Sequence, residues 1–208
     1  RLIVQQAPNN TLQLLRNQPT AVDLKATNIE RLEINCLNGS DGVEIRDTST
    51  TGVTSIRVAG GGGRDILTGI GATAVLELVG GSGDDVLTGG RRNDQLRGGA
   101  GRDSFVFNSD RSFNTADLGI DQILDFVRGS DRIVLDQTTF GNITTSQIAI
   151  VDNDTIAATS AGVITYSRAT GNLFFNQNGA AAGFGNGGQF ATLQGTPALT
   201  VSDFQIVA

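Results

Sequence analysis

Three nine-residue phrases share one pattern, Gly-Gly-x-Gly-x-Asp with an apolar residue two places after the Asp. They begin at Gly60 (GGGGRDILT), Gly80 (GGSGDDVLT) and Gly98 (GGAGRDSFV), and a weaker copy begins at Gly89 (GGRRNDQLR). Glycine permits backbone angles closed to other residues, so such a turn can curl its carbonyl oxygens into one space. The aspartate adds a carboxylate to that space. A hard cation takes about six to eight oxygen ligands at about 2.3–2.6 Å, and flexible loops suit Ca²⁺ better than Mg²⁺. No single turn offers so many oxygens, but two stacked turns do. The candidate metal ligands are therefore Asp65, Asp85 and Asp103, with Asp94 as a weaker member. Backbone oxygens at Gly60, Gly62, Gly80, Ser82, Gly98 and Ala100 join them.

Positioning such turns requires strands between them. The eighth place of each phrase is Leu67, Leu87, Leu96 or Phe105, and the seventh is Ile66, Val86, Gln95 or Ser104. Successive strand residues face opposite ways, so the eighth place faces a core and the seventh faces solvent. Longer rows repeat upstream. Ile34, Ile56 and Leu76 fall in one expected column, and Cys36, Val58 and Leu78 in another. The glycine turns are offset by 22 (38 to 60), 20 (60 to 80) and 18 (80 to 98) residues. A coil made of two nine-residue units needs about 18, so the larger offsets imply small insertions. The pattern predicts an all-β fold: a parallel β-roll or β-solenoid with calcium-binding nonapeptide turns. Such coils must stack, because one coil cannot bury its own apolar face.

Assigning turns to sides makes the expected loading asymmetric. The Gly60, Gly80 and Gly98 turns share one side, with the degenerate Asn38-Gly-Ser-Asp41 turn. The Gly69 and Gly89 turns share the other, where Ala74 stands in place of Asp and Arg92 in place of Gly. Ions are expected between the Asp65 and Asp85 turns and between the Asp85 and Asp103 turns. The competing reading is a metal-free solenoid whose aspartates only satisfy turn amides. Stacked carboxylates would then repel one another.

From about residue 107 the nonapeptide gives way to alternating strands with aromatic residues. Ile148–Val151 reads as a strand, Ile164–Tyr166 and Leu173–Phe175 as a hairpin, and Phe190–Leu193 and Phe204–Val207 as closing strands. The expected division is 1–106, a β-solenoid with repeats at 60–106, and 107–208, a mainly antiparallel C-terminal β region. Val22, Leu24 and Ala26 suggest a further strand near the start.

Composition excludes other chemistry. The net charge is −6 with a pI near 4.5, which disfavours nucleic acid. There is no His, hence no His-ligated zinc and no imidazole acid–base catalysis. The single Cys36 falls in an inward column and reads as core. No run is long and apolar enough to span a bilayer, and no signal-peptide pattern opens the chain. Arg1 is not an initiator, so a processed chain or a fragment is expected. No catalytic motif and no organic cofactor site is found. With one Tyr and no Trp, platforms for sugar stacking are scarce.

At these residues the chain resembles the RTX family, the haemolysin-type calcium-binding repeat proteins of bacteria. The resemblance is strongest over residues 60–135 and includes Asp121-x-Ile-x-Asp125-Phe and Gly129-x-Asp131-x-Ile-x-Leu. That segment brings Asp125 into the candidate ligand set. The end of the chain, from Ala169-Thr-Gly-Asn-Leu-Phe-Phe to Leu199-Thr-Val-Ser-Asp203-Phe, resembles the family's C-terminal secretion region. The resemblance implies a β-roll, Ca²⁺ as cofactor, export through type I secretion machinery and a secreted or cell-surface location. The Asn176-Gln-Asn178-Gly179 loop lacks the aspartates common there in the family, which puts calcium at that loop in doubt. The expected role is structural, with self-assembly into a homo-oligomeric layer, sheath or filament. The alternative is a calcium-dependent folding and secretion module of a larger toxin or enzyme.

Overall fold

The computed structural model describes residues 3–7, 11–15 and 30–208, the first two stretches as backbone only. The strand expected at Val22–Ala26 lies outside the described residues. The described residues form a succession of short strands: β1 Ile3–Ala7, β2 Thr11–Leu15, β3 Arg31–Asn35, β4 Gly42–Glu44, β5 Ser55–Gly62, β6 Ile66–Thr68, β7 Val75–Ser82, β8 Val86–Thr88 and β9 Gln95–Ala100. After these come β10 Ser104–Phe107, β11 Asp121–Ile123, β12 Arg132–Asp136, β13 Ile148–Val151, β14 Ile164–Ser167, β15 Asn172–Phe175, β16 Gly188–Leu193 and β17 Phe204–Val207. Three four-residue helices, α1 Thr115–Leu118, α2 Gln137–Phe140 and α3 Asp154–Ala157, sit in the connections. Each starts where an Asn or Asp side chain (Asn114, Asp136, Asn153) accepts an early helix N–H.

Two sheets form the roll. The larger runs β1-β2-β3-β5-β7-β9-β11-β16-β15-β14-β13 and the smaller β17-β12-β10-β8-β6-β4. Odd and even strands from β3 to β12 alternate between the sheets, so each coil spends one strand in each. The apolar alternation dictates this. Leu67, Leu87, Leu96 and Phe105 are fully buried between the sheets, whereas Ile66 on the outer face is 50% exposed. Leu96 shares the larger sheet with Ile56, Val58, Leu76 and Leu78, which face Leu67, Leu87 and Phe105 of the smaller sheet, and Cys36 is buried beside them.

The first row pairs two residues away from the expected columns. Leu32 lies opposite Ile56 and Ile34 opposite Val58. Asn38 bridges Gly62 rather than Gly60. A slip of two keeps every side chain on its face, so alternation alone cannot fix it. The later columns, Ile56 with Leu76 and Val58 with Leu78, hold.

The second half is mainly β, with its short helices in the connections, but its pairing is more parallel than expected. Only β14–β15 and β15–β16 are antiparallel there. β11 joins β9, and β12 joins β10, in parallel. β16 and β17 then add a last coil in parallel register on β11 and β12. Apolar alternation marks a strand with one buried face and is silent on its direction. The intervening segment, β13 to β15, extends the larger sheet. Phe113, Phe140, Phe175 and Phe190 pack under it with ring centroids 4.8–6.4 Å apart, which gives this end an aromatic core.

Candidate metal centre

The glycine turns stack on one edge of the roll, where the chain passes from the larger sheet to the smaller. Gly61, Gly81 and Gly99 have φ of 104°, 117° and 101°, backbone that side chains rarely adopt. A Cβ at Gly81 or Gly99 would also strike the carbonyl of the second glycine one coil below. The second glycine thus serves both the curl and the stacking distance. The first glycine answers to a different constraint. A Cβ on Gly60 would fill a cradle bounded by the Asp65 carboxylate and the Gly80 carbonyl. Gly80 has the same relation to Asp85 and the Gly98 carbonyl, and Gly98 to Asp103.

The aspartates form a ladder through the stack. The N–H of Asp41 donates to Asp65 Oδ1 (2.8 Å), that of Asp65 to Asp85 Oδ1 (2.8 Å), and that of Asp85 to Asp103 Oδ1 (2.9 Å). Asp103 donates in turn to Asp131 Oδ1 (3.0 Å). Asp65, Asp85 and Asp103 are at most 1% exposed. The second oxygen, Oδ2, of Asp41, Asp65, Asp85 and Asp103 is buried and has no hydrogen-bond partner. Leaving a buried charged acceptor unsatisfied costs more than about 1–3 kcal/mol. Burial pushes the Asp65 and Asp85 carboxyls up. It raises Asp103 to about 6, with the neighbouring carboxylates adding to the effect.

This donor set fits a hard cation: an orphaned carboxylate oxygen and a backbone carbonyl border the Gly60 and Gly80 cradles, and an orphaned carboxylate oxygen borders that at Gly98. The carbonyls of Gly62, Ser82 and Ala100 each accept one N–H from the neighbouring turn, at 2.6–2.8 Å, and retain a second lone pair. Among the described residues no three His, Cys, Asp or Glu side chains converge as a metal cluster. An ion held here would therefore depend on carbonyls for most of its shell.

The remaining candidates are placed differently. Asp94 is fully buried on the other edge, and both its oxygens are taken. Oδ1 accepts the Leu76 N–H at 2.7 Å and Oδ2 the Gly90 N–H at 2.5 Å. Its own N–H donates to Asp121 Oδ1 (3.0 Å). Burial raises Asp94 to about 6 and lifts Asp121 well above the ordinary range, with Asp94 reinforcing the second shift. In this column the residue one coil before Asp94 is Leu76, not Ala74, because two extra residues lie between Gly69 and Leu76. Arg92 braces that irregular turn by donating to the Thr73 carbonyl (3.1 Å), while Arg91 pairs with Asp117 (3.6 Å). Asp125 accepts the N–H groups of Gly98 (2.9 Å) and Gly99 (3.0 Å). It caps the last glycine turn and has no orphaned oxygen.

Asp41 and Asp131 belong to the ladder but were outside the candidate ligand set. The signals were present in Asn38-Gly-Ser-Asp41 and Gly129-Ser-Asp131, shortened turns that keep only a Gly-x-Asp core. Asp131 spends both oxygens on amides, Asp103 N–H and Val127 N–H. Asp41 leaves one oxygen bare.

Comparison with known proteins places this geometry in context. The sequence model described as Peptidase M10 serralysin C terminal matches residues 46–184, two thirds of the chain. A similar solved structure is the solution structure of the AlgE6R3 subunit from the Azotobacter vinelandii mannuronan C5-epimerase. It is 24% identical, covers 80% of this chain and 78% of its own, and has a TM-score of 0.33. No curated protein sequence matches the chain.

Proposed function

Because the chain belongs to the peptidase M10 serralysin C-terminal family, with its RTX-type repeats, we propose that it is a calcium-binding module of a secreted protein. One observation carries this reading: the row of buried, partnerless carboxylate oxygens beside glycine carbonyls on a single edge. Asp65 and Asp85, with carbonyls from the Gly60 and Gly80 turns, would hold one ion. Asp85 and Asp103, with the Gly80 and Gly98 turns, would hold the next. Bound Ca²⁺ supplies positive charge to these oxygens in place of hydrogen-bond donors. The chain's part is to close the turns and set the spacing. The opposite edge, where Asp94 is already saturated by amides, would stay lightly loaded.

Extracellular calcium modules work at about 10⁻⁴–10⁻³ M. Sites of that affinity stay empty in a cytosol and fill outside the cell. Ligands from separate turns couple filling to folding. Export by a type I route, with residues 107–208 carrying the cap and the secretion signal, follows from this reading. The role outside the cell is structural or at the surface, with assembly into a layer, sheath or filament. A second reading is a folding and secretion module of a larger toxin or enzyme. It is favoured by the family's description as a peptidase C terminal and by a chain without histidine.

A calcium titration followed by circular dichroism and light scattering tests the proposal. A gain of β signal at constant mass supports the module, and a jump in mass above a calcium threshold supports assembly. An unchanged spectrum and mass throughout would overturn the calcium reading.

A further inference from the structure

The edge opposite the glycine turns is where this chain departs from its own repeat. Paired residues lie 24 apart from β3 to β5 (Arg31 to Ser55) and 20 apart from β5 to β7 (Ser55 to Val75), against 18 from β7 to β9 (Glu77 to Gln95). On the glycine side the spacing is constant: β4, β6 and β8 each start 11 residues after β3, β5 and β7. The six and two extra residues therefore fall on the opposite edge, within 45–54 and 69–74. They border an open recess of about 570 Å³, inside the ~300–1,000 Å³ range of small-molecule sites.

Two hydrogen-bond donors in this recess have no acceptor among the described residues. Thr48 Oγ accepts the N–H groups of Thr73 (3.2 Å) and Ala74 (2.9 Å). A hydroxyl has two lone pairs. Both are spent, so Thr48 gives its own hydrogen to Thr73 Oγ (3.0 Å). The Thr73 hydroxyl hydrogen is thereby left over. The Thr73 carbonyl accepts from Arg92 Nε (3.1 Å). That bond fixes the guanidinium beside the same hydroxyl and leaves its two Nη groups without an acceptor.

The recess carries one uncompensated positive charge. No Asp or Glu lines it, and no carboxylate pairs with Arg92 among the described residues. The neighbouring Arg91, by contrast, is held by Asp117 (3.6 Å) and faces the field of Asp47. The rest of the lining includes Val53 and Val75, the latter 44% exposed. A cation is repelled here. A single guanidinium is too little for nucleic acid, which takes several phosphate contacts.

We infer that this recess binds a carboxylate carrying a small apolar body. Its oxygens take the Arg92 Nη and Thr73 hydroxyl donors, and its body lies on Val53 and Val75. Hydrogen bonds between charged partners are the strong ones, and both donors here are already oriented by their own bonds. A free carboxylic acid and the terminal residue of a peptide share this chemistry. The site uses no metal ion and stands apart from the calcium reading.

Amide NMR shifts of the full chain, with calcium present throughout, read binding at Gly52, Val53, Thr73 and Val75. The probes are isovalerate and benzoate, their neutral amides, sulfate, and N-acetylglycyl-leucine with its C-terminal amide. Saturable shifts with the carboxylates, at a Kd on the order of 1 mM, and binding of the amides about tenfold weaker support the inference. The free acids and the peptide then tell which source fits better. Arg92→Gln should weaken carboxylate binding about tenfold and Thr73→Val about fivefold, with shifts on the glycine-turn edge unchanged. Asp47→Asn keeps the oxygen that accepts the Ser49 N–H (2.9 Å) and removes a negative charge next to the recess. It should bind carboxylate more tightly, a gain that misfolding cannot produce. Equal affinity for the amides, equal affinity for sulfate, or parent-like binding by Arg92→Gln overturns the inference.

Discussion

Replacing Asp85 by asparagine keeps the side chain's size and the oxygen that accepts the Asp65 N–H, but removes the carboxylate. Asp85 lies between Asp65 and Asp103 in the ladder, so on the proposed loading it serves both ion positions. Sites of about 10⁻⁴–10⁻³ M affinity at about 10 mM calcium each stabilise the fold by RT ln(1 + [L]/Kd), about 1.4–2.7 kcal/mol. Two sites together give about 3–5 kcal/mol. For a chain of this length each kcal/mol moves Tm by about 2–4 °C. The variant should therefore lose about 6–20 °C of the calcium-induced rise in Tm. Without calcium it should be no less stable than the parent, because it removes a buried charge next to two others. Differential scanning calorimetry with and without calcium reads both quantities. Asp84→Asn, on the exposed neighbour, is the control and should keep the full rise. A parent-like calcium shift in the Asp85→Asn variant would refute the assignment of Asp85 to the ions.

Three further outcomes are expected. Gly81→Ala should cost more than about 3 kcal/mol in urea unfolding, because it meets both a forbidden φ and the Gly61 carbonyl. Gly129→Ala, where φ is 80° but the space is open, should cost only about 1 kcal/mol; equal costs would remove the stacking argument. Calcium-free protein should lose stability as pH rises. Burial raises the folded-state values of Asp94 and Asp103 to about 6. Their contribution is therefore complete below the ordinary carboxylate range near 4 and is lost as pH climbs through 6. With calcium bound the trend should invert, since protons compete with the ion for the ladder; parallel pH profiles of Tm would contradict this. Ala74→Asp should destabilise by about 2–5 kcal/mol and add no calcium site. Residue 74 is 1% exposed and out of register with Asp94, so the new charge is buried unpaired. A gain in calcium stoichiometry would show that the two-residue offset is wrong.

Much of the site was readable from spacing. Glycines at fixed places, Asp65, Asp85 and Asp103 at one phase, and Leu67, Leu87, Leu96 and Phe105 at another fix which residues turn, which bear charge and which face inward. Local rules govern these features, namely the steric freedom of glycine and the twofold alternation of a strand. Sequence alone therefore determined an all-β roll with carboxylates on one edge. Other features depended on what packs against what. The slip of two between β3 and β5 leaves every face unchanged, so no pattern in residues 31–59 could reveal it. The two extra residues before Leu76 shift the second edge and leave Ala74 outside the Asp column. The parallel docking of β16 and β17 joins segments separated from β11 and β12 by most of the second half, a choice made by the aromatic core between them. Whether an aspartate keeps a bare oxygen, as Asp65, Asp85 and Asp103 do, or spends both on amides is settled by how the chain folds around it: Asp94 and Asp131 give the second oxygen to an N–H of their own turn, Gly90 and Val127, while Asp125 gives both to the Gly98 and Gly99 N–H groups of the preceding coil. The sequence places the carboxylates; only the tertiary structure decides which have an oxygen left for a cation, because that depends on which N–H groups, of the same turn or of the adjacent coil, the folded backbone brings within reach of each one.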